Sequence, residues 1–357
     1  MSDTSPIING MNTSHFIEGS DVEVYSRTGA GTTEDPYVDK IVGLIQNIST
    51  QDARGLPQVG EVGSDKTITL ITPAQKSAQL TRLMINSRSI LSAFYFPAAT
   101  DAPSDYSPDM LVGGDTIKIY SRKSSPVDLD ELFAEDHLIG LIQQYSVSSS
   151  LPVSQIGEIG GNKKYLLSGK ADKSISLNRI VSENANILKA LYADYVTDSA
   201  EGVTLPGGKI WTDLDSSLFK KAIDVGIVIM EGTEILHKLV LGSALPQSIS
   251  GAIQQGTRGI ADSLSLKWND TTCLSANGNK VDTEFFIDLD NETCREPFDI
   301  LLRYKFDANG VLGIEEHHLQ NCLFTSLSHA VSHGARTTAE SVQIMWENTD
   351  PIATNDI

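Results

Sequence analysis

Cysteine is scarce in this chain: Cys273, Cys294 and Cys322 are the only three in 357 residues. An odd, irregularly spaced set excludes a disulfide framework and points to reduced thiols. Long apolar runs are missing as well. Nothing approaches the roughly 18 residues of a membrane-spanning helix, so no membrane partner is expected. The opening residues, MSDTSPIING, have neither a basic n-region nor an apolar h-region, and no secretory signal is expected. Positive charge is in deficit, with 27 Lys and Arg against 46 Asp and Glu, a net charge of −19. A surface that grips nucleic acid needs clustered Lys and Arg, so such a surface is not expected. The acidic balance reads first as a solubility device. Nucleotide and acyl-transfer motifs are absent: there is no GxxxxGK[ST], no GxSxG and no strand-linked GxGxxG. The remaining composition, 40% hydrophobic and 20% charged, is that of a globular chain long enough for two domains.

What is present is repetition. VEVYSR (Val22–Arg27) returns as IKIYSR (Ile117–Arg122), an offset of 95. GLIQ at Gly43 returns at Gly140, an offset of 97 that holds without a gap through Gly60 and Gly157, Lys76 and Lys173, Arg82 and Arg179, and Tyr95 and Tyr192. These are units A (about 15–96) and A′ (about 110–195). A second, unlike pair follows. Thr212–Met230 matches Ile287–Lys305 at an offset of 75. After a three-residue insertion the offset is 78, pairing Leu241 with Leu319, Gly256 with Gly334, Arg258 with Arg336 and Trp268 with Trp346. These are B (about 209–270) and B′ (about 284–348).

DVEVYSR, DTIKIYSR, DKTITLIT and KSISLNRIV alternate apolar and polar residues, the period of half-buried strands. KIVGLIQNIS and HLIGLIQQYS are β-rich with an internal Gly, as at a bulge or close backbone approach. Ile90, Leu91, Phe94 and Tyr95 recur at helical spacing, as do Ile187, Leu188, Leu191 and Tyr192, with Asn86 or Ser87 and Ser182 as candidate caps. DVGIVIM and DILLRYKF read as buried strands. DSLSLKW and ESVQIMW each place two aliphatics and a Trp on one strand face. The fold class expected is mainly β with flanking helices (α+β), as two tandem or nested domains. In the nested arrangement an inserted domain, residues 110–270 (A′ and B), interrupts an outer domain of residues 1–96 and 281–357 (A and B′), with linkers 97–109 and 271–280. In the interleaved one A pairs with B and A′ with B′. Nesting needs two crossings rather than three, both through turn-rich sequence, which favours it.

Candidate chemistry is thin. GEIGGNKK (Gly157–Lys164) is glycine-rich and basic, but its copy GEVGSDKT is less so, and a turn between strands explains both. DLDNE (Asp288–Glu292), with its copy DLDSS (Asp213–Ser217), offers oxygens that calcium could use but lacks the EF-hand glycine and distal glutamate. His317, His318, His329 and His333 flank Cys322, and His329 and His333 are four apart, a zinc spacing on helices. SLSHAVSHGA reads instead as strand and turn, and the positions in B are Leu239, Val240, Gly251 and Gln255, so surface or interface histidines are expected. Asp224 and Asp299 stand at equivalent places before buried strands and read as turn or cap residues rather than catalytic carboxylates. No catalytic residue, cofactor or metal site is expected, and the chain is not expected to be an enzyme.

The combined pattern resembles the tail-tube proteins of tailed bacteriophages. The A half of that pattern is carried by Gly43–Ser49, Val59–Gly63 and Leu80–Arg82, and again by Gly140–Ser146, Ile156–Gly160 and Leu177–Arg179. The B half is carried by Phe298–Ile300, Cys322–Ser328 and Trp346, and again by Ile223–Val225, Ala244–Ser250 and Trp268. The resemblance spans about 300 residues through diffuse motifs. It implies tube-like β-sandwich or barrel domains, six to a ring, with inner strands joined around a lumen through which DNA passes without specific binding. With two domains per chain, three chains would make a pseudo-hexameric ring. It further implies stacked rings, contacts with sheath, baseplate or terminator proteins, and a place in the virion tail after assembly in the host cytoplasm. A baseplate hub or tube initiator is the alternative. Carboxylates lining the lumen, repelling phosphate, are the expected use of the acidic balance.

Overall fold

The computed structural model describes residues 22–56, 58–60, 67–69, 74–96, 106–125, 128–157, 164–181, 185–197, 203–208, 210–252, 261–281, 288–308 and 311–352. The ends of both GE(V/I)G turns, Ser182, Gly256, Arg258 and most of the 97–109 crossing lie outside them.

Unit A supplies β1 (Val22–Thr28), β2 (Val38–Ile41), β3 (Ile45–Ala53), the hairpin β4 (Gln58–Gly60) and β5 (Thr67–Thr69), β6 (Gln75–Leu83) and helix α1 (Ile90–Tyr95). Unit A′ supplies β7 (Ile117–Lys123), β8 (Ile142–Ser150), the hairpin β9 (Val153–Gly157) and β10 (Lys164–Ser168), β11 (Asp172–Ile180) and helices α2 (Ile187–Leu191) and α3 (Ala193–Thr197). Unit B gives β12 (Ile223–Glu231), β13 (Glu234–Ala252), β14 (Ala261–Lys267) and β15 (Asp270–Ser275). Unit B′ gives β16 (Phe298–Ala308), β17 (Val311–Ser332), β18 (Ala339–Met345) and β19 (Asn348–Ile352). The chain is mainly β. Residues 271–280, expected as a linker, begin instead within β15, because Thr271, Thr272 and Cys273 suit a strand and pair with Leu241, Val240 and Leu239.

All large pairings are antiparallel. Two flanking sheets run β2-β1-β16-β17-β19 and β7-β12-β13-β15. Between them a central sheet runs β3-β6-β18-β17-β8-β11-β14-β13. The long strands β13 and β17, 19 and 22 residues, serve two sheets each: the first half of each lies in a flank, the second half in the centre. Unit A thus pairs with B′ (β1 with β16, β6 with β18), and A′ with B (β7 with β12, β11 with β14). The registers coincide at the sequence offsets. Arg27 faces Asp299 as Arg122 faces Asp224; Phe298 faces Cys322 as Ile223 faces Ala244; Ala78 faces Ile344 as Ile175 faces Leu266.

The long strands bend at a fixed place. Register shifts between Ile223 and Val225, and between Phe298 and Ile300, mark extra residues in the partner strand. There Ser243 (φ 54°) and Asn321 (φ 53°) take the left-handed conformation. The aspartates next to the shifts hold them. Asp224 accepts from the Ser243 N–H at 3.1 Å, and Asp299 from the Asn321 N–H at 2.9 Å.

Alternation decides burial. Leu264, Leu266 and Trp268, and Val342, Ile344 and Trp346, point into a shared core as their spacing predicts. The helices close that core with Ile90, Leu91 and Phe94, and with Ile187, Leu188 and Leu191. Their caps are Ser89, accepting from Ser92 N–H, and Asn186, accepting from Lys189 N–H. Asn86 and Ser87 are not the α1 cap; that helix begins two or three residues later than expected. Ser89 and Asn186 are themselves separated by the 97-residue offset.

Candidate functional site: a serine-faced sheet with two open edges

The central sheet is ordered as two quartets placed head to tail. The first is β3-β6-β18-β17 and the second β8-β11-β14-β13, and the β17–β8 ladder joins them. In this joint Ser326 faces Ser150, Ser328 faces Ser148 and Ala330 faces Ser146. Among the described residues, β3 and the second half of β13 carry no strand on their outer sides. Position by position these edges are the open counterparts of the joint. Tyr145, Val147 and Ser149 are buried in β8, whereas their matches in β3 are half-buried Ile48 and exposed Thr50 and Asp52. His329 is buried in β17, and its match Gly251 is exposed.

One face of this sheet is covered by the core; the other is open. The open side shows as a triplet on each strand, polar–apolar–polar, with the middle residue turned inward. Five are serine–apolar–serine: Ser146-Val147-Ser148, Ser174-Ile175-Ser176, Ser248-Ile249-Ser250, Ser263-Leu264-Ser265 and Ser326-Leu327-Ser328. β6 and β18 continue the row with Ser77 and Gln79, Ser341 and Gln343, and Gln79 donates to Ser341 Oγ at 3.1 Å. The charged groups this face bears, Asp172 and Lys267, pair with each other at 2.5 Å. The expected carboxylate lining is therefore not on this face. Apart from Asp172, alternation places the acids of these strands, Asp52, Asp262 and Glu340, on the other side, and serine fills the outward positions of a closely spaced ladder. The repeated S-x-S triplet was the sequence signal for it.

At the joint the DLD loop of B′ docks across from its own unit onto A′. Lys173 Nζ lies 2.8 Å from Asp288 and 3.5 Å from Asp290. The Ala171 N–H donates to Asp290 at 2.7 Å, and the Leu289 N–H to Ser149 Oγ at 3.3 Å. Leu289 is fully buried. Burial alone would raise the Asp290 carboxyl; the Ala171 N–H, Arg295 and Lys173 together hold it below its ordinary range. Asp288 and Asp290, weighed above as calcium ligands, are thus engaged by a lysine. The copy of this loop in B keeps the same internal turn, Asp215 N–H to Asp213 at 3.0 Å, but Asp213 and Asp215 are exposed and Leu214 only half-buried.

The other residues singled out in the sequence separate. His318 is buried and bonded to Asp299 at 2.7 Å, His317 meets Glu315 at 2.7 Å, and His329 packs edge-on to Tyr145. Surface or interface placement was expected of them all. His329 sits inside because it falls on an inward position of β17, opposite Val147, while His318, on the face of β17 away from core Leu319, is covered by Asp299 and the Tyr37 ring. Among the described residues no group of three or more His, Cys, Asp or Glu converges as a metal site. Asp224 accepts from Ser124 Oγ at 2.7 Å and from the N–H groups of Ser125 and Ser243. The two A-half motifs meet: Arg82 Nε donates to Gly43 O and Arg179 Nε to Gly140 O, each at 2.9 Å. These bonds hold a turn whose next residue, Leu44 or Leu141, is left-handed (φ 63° and 66°). The expected close approach at the glycine does not occur at Gly140, which has open space around it.

No family model matches the sequence, and no curated protein matches it. Among solved structures the chain is similar to one from the baseplate of the anti-feeding prophage, with TM-score 0.31 and 19% identity, over 45% of this chain and 93% of that one. It is similar to one from the extended sheath-tube complex of an extracellular contractile injection system, with TM-score 0.28 and 14% identity, over 44% of this chain and 88% of the other. For Hcp1 from Salmonella typhimurium the TM-score is 0.20 and the identity 8%, over 58% of this chain and 95% of that one. Likenesses this slight do not bear on function.

Proposed function

We propose that the chain is a non-enzymatic structural subunit of a phage-type tail, the tube itself, in which three copies close a ring and stacked rings enclose a channel for DNA. The observation that carries this is the central sheet. Two quartets in head-to-tail order leave one edge of each kind unpaired among the described residues, and long exposed edges call for a covering partner. Three such sheets would give a barrel of about 24 strands, in the size range that leaves an open lumen. The open serine face would line that lumen, and phosphate would find neither a basic grip nor a row of carboxylates. The two domains are read as nested, residues 110–270 within 1–96 and 281–357, because strand pairing follows A with B′ and A′ with B. A non-catalytic role fits the spending of Asp224, Asp288, Asp290 and Asp299 on internal bonds.

Negative-stain microscopy of concentrated protein tests the reading. Filaments with a central channel are expected. Single rings that never stack would move the chain to a hub or initiator role. A monomer at every concentration would overturn the proposal.

A further inference from the structure

We propose that the exposed loop Asp213-Leu214-Asp215 of one chain docks on Lys76 of a second copy, while β13 of the first adds to β3 of the second in a fixed register. The ring proposed above supplies only the number of copies; the joint itself follows from the fold. Inside one chain the structure already contains this joint once, between B′ and A′. Subtracting the repeat offsets from its members gives the other. Lys173 becomes Lys76, Asp288 and Asp290 become Asp213 and Asp215, Leu289 becomes Leu214, and Ser149 becomes Asp52.

Each half of the second joint is present and, among the described residues, not docked on the other. Lys76 bonds Thr349 Oγ1 at 3.4 Å, but no ion pair joins it to a carboxylate among the described residues. Asp213 and Asp215 are exposed, with Leu214 left half-covered between them. The copy of Leu214, Leu289, is fully buried because its loop is docked. Docking would therefore bury an aliphatic side chain and give Lys76 two carboxylates, while the Leu214 N–H gains the Asp52 carboxylate that stands where Ser149 accepts now. The strand register transfers in the same way. Ser326 to Ser150 and Ser328 to Ser148 become Ser248 to Ala53 and Ser250 to Gln51, antiparallel, with every serine still on the open face. A second copy is the occupant because the complementary edge and loop are both on this chain, at opposite ends of its central sheet. Such head-to-tail addition closes only as a ring.

Cross-linking tests the register. In a Cys273→Ser background, Gln51→Cys with Ser250→Cys is oxidised and run on a non-reducing gel. A ladder that ends at three chains is expected, forming about tenfold faster than for Asn47→Cys with Ser250→Cys, which sits four residues out of register on the same face. Equal rates would overturn the joint. Charge reversal tests the loop. Lys76→Asp alone, or Asp213→Lys with Asp215→Lys, should weaken assembly about tenfold or more, and one chain carrying all three changes should recover it. Matching circular dichroism and melting show that each variant is folded; a folded triple variant that fails to recover would overturn the ion pairs. Filaments or rings without the 51–250 link would leave the tube reading and overturn the joint. Linked dimers that never close would keep the joint and overturn the ring.

Discussion

Glu340 and His329 face each other across the β17–β18 ladder, both buried. Burial raises the Glu340 carboxyl to about 7, against the pull of the Arg82 guanidinium and the Ile90 N–H that it accepts at 2.7 Å. Burial lowers the His329 imidazole to about 4. The signs are opposite. Between its unfolded value of 4.5 and its folded value of about 7, Glu340 keeps a proton that the unfolded chain sheds. Its contribution is full below 4.5 and is lost as pH rises through 7, by up to about 3 kcal/mol. His329 stays neutral where the unfolded chain takes up a proton, so its contribution is full above 6.5 and is lost as pH falls through 4. Glu340→Gln keeps an oxygen for the Ile90 N–H and cannot ionise. Its urea midpoint should exceed that of the wild type at pH 8, with the gap closing toward pH 4.5. An unchanged slope would mean that the carboxyl is ionised in the fold. His329→Leu should flatten the acid limb below pH 6.5 in the same titration.

The bends of β13 and β17 turn a repeated sequence into two-sheet units. Asp224 accepts three hydrogen bonds at one bend, one of them from left-handed Ser243. Asp224→Ala should cost about 2 kcal/mol, since three half-buried donors lose their buried acceptor, and should lower the urea midpoint without changing the slope. Ser243→Gly should instead stabilise by about 1 kcal/mol by relieving a left-handed side-chain conformation. Much of this element scale was legible. The offsets marked by Lys76 and Lys173, or Trp268 and Trp346, are those of the strand registers, because pairing preserves inward and outward positions. The inward Leu264, Leu266 and Trp268 followed from alternation alone. The caps did not, because Asn86, Ser87 and Ser89 all suit a helix start and only packing against the core selects Ser89. Nor did the burial of His318, whose polarity suggests surface while its place in the alternation sends it beside Asp299. That a 22-residue run crosses two sheets leaves no local mark beyond Asn321, a residue that tolerates the left-handed region. The docked state of one DLD loop and the open state of its copy are invisible in identical tripeptides, since docking depends on which unit the topology brings alongside.

At the scale of the molecule the question is where the net charge of −19 goes. It is not on the serine face, where Asp172 and Lys267 cancel. In the proposed tube, conducting a polyanion would then depend on the absence of both attraction and repulsion along the wall, and the acidic surplus would serve solubility elsewhere. Local potential can be read chemically. Ser148 and Ser328 are exposed neighbours on this face, and Cys294 and Cys322 are buried. In a Cys273→Ser chain, Ser148→Cys or Ser328→Cys would be treated with cationic and anionic methanethiosulfonates, each rate divided by that of a free thiol. A neutral face should bring the two normalised rates within about twofold, whereas a carboxylate-lined one would favour the cationic reagent by about tenfold or more. Adding Ser174→Asp, the cross-strand partner of Ser148, to the Ser148→Cys chain should recreate that preference, which shows that the assay can see a single charge. A strong cationic preference in the unaltered face would return the carboxylates to the channel wall. The same thiols report what assembly does. If the face lines a lumen, small reagents still reach them in filaments while a bulky maleimide does not. If assembly shuts out the small reagents too, the serine face is a contact between subunits and the channel must be sought elsewhere.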